Sequence, residues 1–552
     1  MSLMHEQKPS AELEASGRSL WRTFRFPLII LAVFGGIFAI PWIFVALDVE
    51  TDGAIPLFMV TQWLAPPLGL LFIAVWWLFF SAYRWSTRLA VLCLVCIAVA
   101  GLYFSVREVE LTKGRVGLVP RFHFIWEPTA KDRLAAYLAQ PAANDDLPPI
   151  DARVGPHDYA RYRGANFDGV VRFARLATDW ARQPPKVLWQ HACPGGYSGI
   201  AVAGNIAVTL EQREAGETVA CYDRASGRQR WEYSYGASYK DESKMGNGPR
   251  STPTIYNNRI FTIGATGELV CLDTEGKKQW SVNILEVAKA KNIKWGLTGS
   301  PLIVDDLVVA HAGIDPAAPA DSALIAFDQA TGDIRWRTGN RKAGYSSPQL
   351  TVLGKTPQIL LFDGAGLVSY DKAGKQLWEY PWVTDWEMNS IQPVVLGTDR
   401  VFISSEISNG CAMVQLRAPD NDKGSWSVEV LWNNKNLAAR YANPVTDGKS
   451  IFGLHNLQGV LTCLDAQTGR VKWKGDREGP GQMLLADGAL LVINGDTGDA
   501  ALFETDSAAC HELARYRVFE KRDKTWNTPA LAGDQLFVRN QADIVCLKLP
   551  MR

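Results

Sequence analysis

Large polar and aromatic side chains recur just ahead of a series of short, Pro-containing apolar stretches in the C-terminal two thirds of this chain. They are Tyr197, Asn247 and Arg250, Trp295 and Thr298, Tyr345, Glu387 and Asn389, Arg440, Tyr441 and Asn443, and Trp526 with Asn527. Mixed amide donors and acceptors, a guanidinium and flat aromatic faces are the groups that recognise a small ligand or a peptide. Where these segments converge, Asn247, Arg250, Trp295, Tyr345, Asn389, Tyr441, Asn443, Trp526 and Asn527 are expected to face a common pocket. The competing reading is that they only tie neighbouring loops together.

Other reactive residues point away from chemistry. Cys221, Cys271, Cys463 and Cys546 occupy one position of a repeat, where Ala326 and Ser369 stand in other copies. A position that accepts Ala, Ser or Cys is a small core slot. Equivalent slots in separate units lie farther apart than the roughly 7 Å between Cα atoms that a disulfide allows. Cys193, Cys411 and Cys510 share no such slot, which leaves a disulfide among them open. The seven histidines, His191, His311, His455 and His511 among them, show no His-x-His or His-x3-His spacing, so no metal site is expected. Gly264 to Glu268 and Asp363 to Gly366 read as hairpin turns, because no helix follows to hold a phosphate.

The elements that must position these residues are announced by a recurring phrase of Asp, Gly and Trp. It reads CYDRASGRQRW at 221–231, CLDTEGKKQW at 271–280, AFDQATGDIRW at 326–336, SYDKAGKQLW at 369–378 and CLDAQTGRVKW at 463–473. Self-similarity at a spacing of roughly 40 to 50 residues marks a solenoid or propeller. Each unit runs through a Ser-Pro or Thr-Pro strand, two apolar strands, the Asp-to-Gly turn and a last strand ending in Trp, the pattern of a four-stranded blade. The Asp carboxylates cap the turn, the Gly residues supply positive φ, and the Trp ring fills the wedge between blades.

Weaker copies complete the count. Units are expected at 198–233, 250–282, 299–338, 346–380, 391–432, 441–474, 481–519 and 527–549, the seventh having lost the phrase and the eighth stopping after three strands. Lys186 to Gln190 reads as an outer strand with no blade before it and supplies the missing fourth strand, closing the ring without an open sheet edge. The expectation is an all-β, eight-bladed propeller of four-stranded antiparallel blades over 158–552, preceded by an α-helical membrane domain.

That membrane domain rests on three apolar runs without an ionised residue, Phe26–Leu47, Pro56–Phe80 and Leu89–Val106. Arg18, Arg22 and Arg25 precede the first and Arg84 and Arg88 stand between the second and third, whereas 48–55 carries no Lys or Arg. The positive-inside rule then places a tail of residues 1–25 in the cytoplasm and everything after Val106 outside it, in the periplasm of a Gram-negative cell. A multi-pass protein of the inner membrane follows, with the bilayer as one partner. Residues 107–157 form a connector: an extended exit, a short helix over 129–140 capped by Thr129, and a Pro-rich linker. With 57 basic against 57 acidic residues, nothing suggests a nucleic-acid partner.

The repeated phrase resembles the tryptophan-docking repeat of quinoprotein propellers, which include PQQ-dependent alcohol and glucose dehydrogenases and the BamB-type outer-membrane assembly factor. The segment HDYARYRGANFDGV at 157–170 is similar to the leading segment of exported PQQ-like repeat proteins. In the enzymes, the resemblance implies PQQ stacked on a Trp over the axis, a Ca²⁺ held by carboxylate and amide oxygens, and an Asp base. No two of the nine cysteines are adjacent, no Asp base or Ca²⁺ pair aligns, and the blades are compact. The expectation is therefore a membrane-anchored binding or envelope-assembly scaffold with no cofactor, its funnel taking a protein partner or a small ligand. The alternative is a PQQ- and Ca²⁺-dependent dehydrogenase that oxidises an alcohol or sugar and passes electrons to quinone.

Overall fold

The computed structural model describes residues 25–40, 43, 55–81, 83–114, 117–139, 147–241, 246–314, 321–406, 409–419, 424–506, 508–521 and 523–552. The chain divides into two compact units, Met1–Pro128 and Thr129–Arg552.

In the first unit, one helix among the described residues, Trp85–Ser105, is long and apolar enough to cross a membrane, and Arg25–Ile40 and Leu64–Phe80 are shorter apolar helices. Leu64–Phe80 is the end of a continuous helix, Ile55–Phe80, over the second expected span. Residues 41, 42 and 44–47 of the first expected span lie outside the described residues. The helix over the third expected span, Leu89–Val106, starts earlier, at Trp85. Arg88 reaches back from its first turn to the carbonyls of Leu78 (2.6 Å) in the preceding helix and of Ser81 and Tyr83 (2.7 Å) in the connection between them. The helix stops at Ser105, and Val106 begins a strand. The extended exit is an antiparallel hairpin, Val106–Gly114 with Gly117–Phe124.

The second unit is a ring of eight sheets. Blades 1 to 7 comprise residues 201–234, 254–283, 302–338, 349–381, 394–434, 445–477 and 482–516, each with a four-stranded antiparallel meander, and blade 8 has three strands over residues 530–548. Lys186–Ala192 pairs with Asp543–Lys548 as the outer strand of blade 8, so the ring is closed by strands from both ends of the domain. Blade 7 carries an addition with no counterpart in the repeat: Val170–Val171 pairs in parallel with its inner strand.

The repeated phrase holds neighbouring blades together. Asp273 Oδ1 accepts the N–H groups of Glu275 and Lys277, and Asp328 and Asp371 cap their turns in the same way. The turn glycine serves two ends at once. Gly276 has φ 78°, and a Cβ added there would lie 2.6 Å from the ring of Trp231 in the preceding blade. Trp231 in turn donates to the Thr274 carbonyl at 2.7 Å, and Trp189 and Trp280 dock likewise on Arg224 and Gln329. Trp378 faces blade 5, which lacks the phrase, and donates instead to Gln358 of its own blade (2.8 Å).

The cysteine slot follows from the same packing. Cys221, Cys271, Ala326, Ser369, Cys463 and Cys546 each pair across strands with the docking Trp of their own blade, and a bulge follows every one. The indole fills the space, so the opposite residue is small. All nine cysteines, Cys193, Cys411 and Cys510 included, are free thiols.

The short helix is Ala130–Leu138, where Thr129 and Asp132 form a capping box. Leu134 is buried, Arg133 pairs with Asp543, and Tyr137 stacks on His191. Residues 141–146 of the expected linker lie outside the described residues. The rest is strapped to the propeller: Asn205 donates to Pro149, Arg230 donates to Pro148, and Ala152 is buried against blades 1 and 2.

Candidate functional site

Strand alternation puts the loops between an outer strand and the next inner strand, and the turns between second and third strands, at one end of the ring. The Asp-Gly turns and the inner hairpin turns lie at the other end. At the first end the axis opens into a cavity of about 140 Å³. Its floor is a circle of side chains from the residue that starts each inner strand. Thr252 N–H donates to Ser300 Oγ (2.9 Å), Ser300 N–H to Ser347 Oγ (2.9 Å), Ser347 N–H to Gln392 Oε1 (3.2 Å) and Gln392 N–H to Asn443 Oδ1 (2.7 Å). Five of these residues precede a proline, in Thr-Pro, Ser-Pro, Ser-Pro, Gln-Pro and Asn-Pro pairs. The proline holds its predecessor extended and has no N–H of its own, which leaves the predecessor's N–H directed at the next blade.

The floor is completed from the far end. Residues 157–171 cross the axis there, Tyr159 pairing with Val202 of blade 1 and Gly169 accepting from Leu485 of blade 7. Arg163 is fully buried and donates to the carbonyls of Phe167, Asp168 and Pro444. The next-door Tyr162 reaches up the channel and accepts from Asn443 Nδ2 at 2.9 Å. The propeller is a cup whose bottom is its own leading segment.

The walls are aromatic. Tyr441, Trp526 and Tyr197 form one stack, with ring centres 5.1 Å and 5.4 Å apart. The Arg250 guanidinium continues it, 5.1 Å from the centre of Tyr197 and 5.4 Å from that of Tyr239. Opposite stand Trp295 and Tyr345, centres 5.6 Å apart, and Trp295 also meets Trp386 at the rim, with the Lys294 ammonium about 5 Å above both indoles. Trp386 is 66% exposed with φ 63°, a left-handed conformation that costs a non-glycine residue energy.

Of the sequence-predicted residues, Arg250, Trp295, Tyr345, Tyr441, Asn443 and Trp526 line the cavity, together with Tyr197 and Thr298. Three asparagines lie outside its wall. Asn389 is buried and donates to Asp363 and Trp382; Asn527 is buried and donates to Gly196 and Ser198; Asn247 accepts from the Asp241 N–H. An asparagine beside a tight loop finds backbone partners before it reaches an axis. Glu387 pairs with Lys342, and Arg440 with Glu406 at 3.1 Å. Missed in the sequence were Tyr162, Thr252, Ser347, Met388, Ser390, Gln482 and Thr528. The usable signal was the polar residue before each inner-strand proline.

The electrostatics are one-sided. Arg250 is the only ionised side chain among the described lining residues, and none of them is a carboxylate. Its Nη2 donates to the Gly246 carbonyl (2.7 Å) and lies 3.8 Å from Asp241, whereas its Nε and the Trp526 indole N–H are buried with no acceptor among the described residues. Below Tyr239, Glu217 is buried and accepts from the Ala265 and Tyr239 N–H groups, and burial pushes its carboxyl up to about 7. His311 is held down to about 3 by burial. Among the described residues no group of three His, Cys, Asp or Glu could hold a metal. Ca²⁺ takes six to eight oxygen ligands, carboxylates prominent among them, so this lining does not fit a Ca²⁺–quinone pair.

Residues 215–475, just under half of the chain, match the family model described as outer membrane protein assembly factor BamB. Among solved structures, the quinohemoprotein alcohol dehydrogenase from Comamonas testosteroni is 11% identical, with a TM-score of 0.50 over 76% of this chain and 84% of that one. BamB from Moraxella catarrhalis is 14% identical, with a TM-score of 0.43 over 64% of this chain and 94% of that one. No curated protein sequence matches the chain. The second unit is an eight-bladed β-propeller, part of which matches that family model, and at these identities the structural likeness extends to the fold alone.

Proposed function

We propose that the chain is a binding protein, a propeller tethered to the inner membrane that docks an envelope partner at its funnel outside the cytoplasm. The observation that carries this reading is the funnel itself: an aromatic belt with cations at its rim, closed below by the chain's own segment, and no carboxylate among the described lining residues to serve as a base. Recognition needs only such surfaces, whereas oxidation of an alcohol needs a group to take its proton. The partner segment that fits is acidic, because Lys294 and Arg250 sit on the rings it would cover. The match to the BamB description adds support. Tethering rests on three spans at Phe26–Leu47, Pro56–Phe80 and Leu89–Val106 and on the arginines around them; reporter fusions after residues 20 and 128 should be active on opposite sides of the membrane.

The docking reading is tested by a photo-crosslinking residue placed at Trp386 on the mouth or at Lys372 on the opposite end, in intact cells. A discrete adduct from position 386 that is absent from position 372 and lost on Tyr441→Ala is expected. Equal labelling from both positions, or none from 386, would overturn it.

A further inference from the structure

We infer that helix Ala130–Leu138 is a releasable clasp that governs local opening of the ring at its seam. Seven blades are continuous meanders, but the outer strand of blade 8, Lys186–Ala192, is joined to its neighbour Asp543–Lys548 by hydrogen bonds with no connecting turn. The helix grips both sides of that join. On one side Arg133 pairs with Asp543 and donates to the Ala542 carbonyl (3.3 Å). On the other, the Tyr137 ring stacks on His191 with centres 4.5 Å apart, and its hydroxyl donates to the Gly227 carbonyl in the turn of blade 1 (2.8 Å). His191 in turn lies parallel to Trp189, the indole that rests on Gly227. One helix thus holds the closing strand, the strand it closes on and the neighbouring blade.

Two properties make the clasp releasable. Within the helix only Leu134 is buried, and the Arg133 side chain is 39% exposed. Its nine residues also fall short of the roughly 12 to 15 that keep a helix folded in water without packing, so undocking and unfolding are one step. The other end of the join is held by backbone: Leu176 bridges to Met551, and the Ala177 and Arg552 N–H groups donate to the Pro550 and Arg175 carbonyls. Those bonds persist when the helix leaves, so opening begins at the funnel end. There Cys193 and Gly195 donate across the join to Ala542 and Gln541 (both 2.9 Å), and Tyr197 on one side stacks on Trp526 on the other. None of this depends on what the funnel binds.

Hydrogen exchange of the full-length protein in detergent, resolved by mass spectrometry, reads such local opening. The Arg133→Ala/Tyr137→Ala double variant should speed exchange over 186–195 and 543–548 by about tenfold, the loss expected for a charge-assisted bond. The blade 4 strands Gly366–Tyr370 and Gln376–Pro381 should keep the parent rate. Unchanged rates at the seam, or an equal rise in blade 4, overturns the inference. If the double variant does not fold, Tyr137→Phe decides: it keeps the stack on His191, removes the bond to Gly227 and should speed the seam by about threefold with blade 4 unmoved. No change at the seam in that variant, or the same change in blade 4, overturns the inference equally.

Discussion

The rim of the propeller and its axis are built from the same eight units, yet they use repetition in opposite ways. At the rim, one interaction is copied: an indole of one blade rests on the positive-φ glycine of the next, as Trp231 does on Gly276 and Trp280 on Gly332. At the axis, one position is copied and its side chain is varied, through Thr252, Ser300, Ser347, Gln392, Asn443 and Gln482. Identical parts give a stable ring. Varied parts around one axis give an asymmetric cup, in which Arg250 is the one ionised side chain among the described lining residues.

The contrast breaks hardest at the rim. Trp280→Ala removes a buried indole and its bond to Gln329, and should cost about 3–5 kcal/mol in urea unfolding. Trp378→Phe should cost less than Trp280→Phe, because only the latter loses a bond between blades.

A proton sharpens the contrast next. Glu217 ionises near 7 when folded against 4.5 as its ordinary value, so between these limits the native state holds more protons than the unfolded one. Its contribution is full below about pH 4.5 and is lost as pH rises through 7, by no more than about 3 kcal/mol. The stability of Glu217→Gln relative to the parent should therefore improve steadily from pH 4.5 to 7.5, as read by denaturant midpoints at each pH.

Within the axial circle, Ser347→Ala strips the Ser300 N–H of its acceptor, and an unsatisfied buried N–H costs about 1–3 kcal/mol. The smallest effect belongs to the mouth. Trp386 is exposed, so Trp386→Ala should change the melting free energy by less than about 0.5 kcal/mol, although it removes part of the docking surface.

What was legible in the sequence follows the same division. Eight blades, the closing strand at Lys186 and the small slot held by Cys221 and its equivalents could be read, because each is the trace of a contact repeated with fixed spacing. The crossing of residues 157–171 could not. Tyr162, Arg163 and the Val170–Val171 strand make single, long-range contacts to blades 6 and 7, and no periodicity announces them. The cup was half legible: aromatic and cationic residues before each inner strand do line it, whereas Asn247, Asn389 and Asn527 are taken up by nearby backbone. The polar residue before each proline was visible as a Ser-Pro or Thr-Pro habit, but its bond to the next blade depends on a ring that only folding creates.

On the proposed reading the funnel binds a partner without oxidising it, and the most direct test is to offer the protein the chemistry of an oxidation. The purified full-length protein, incubated with PQQ and Ca²⁺ and then with a panel of alcohols and sugars, should reduce no electron-accepting dye, and its melting temperature should not rise with PQQ concentration. Substrate-dependent dye reduction that requires both PQQ and Ca²⁺ would contradict it.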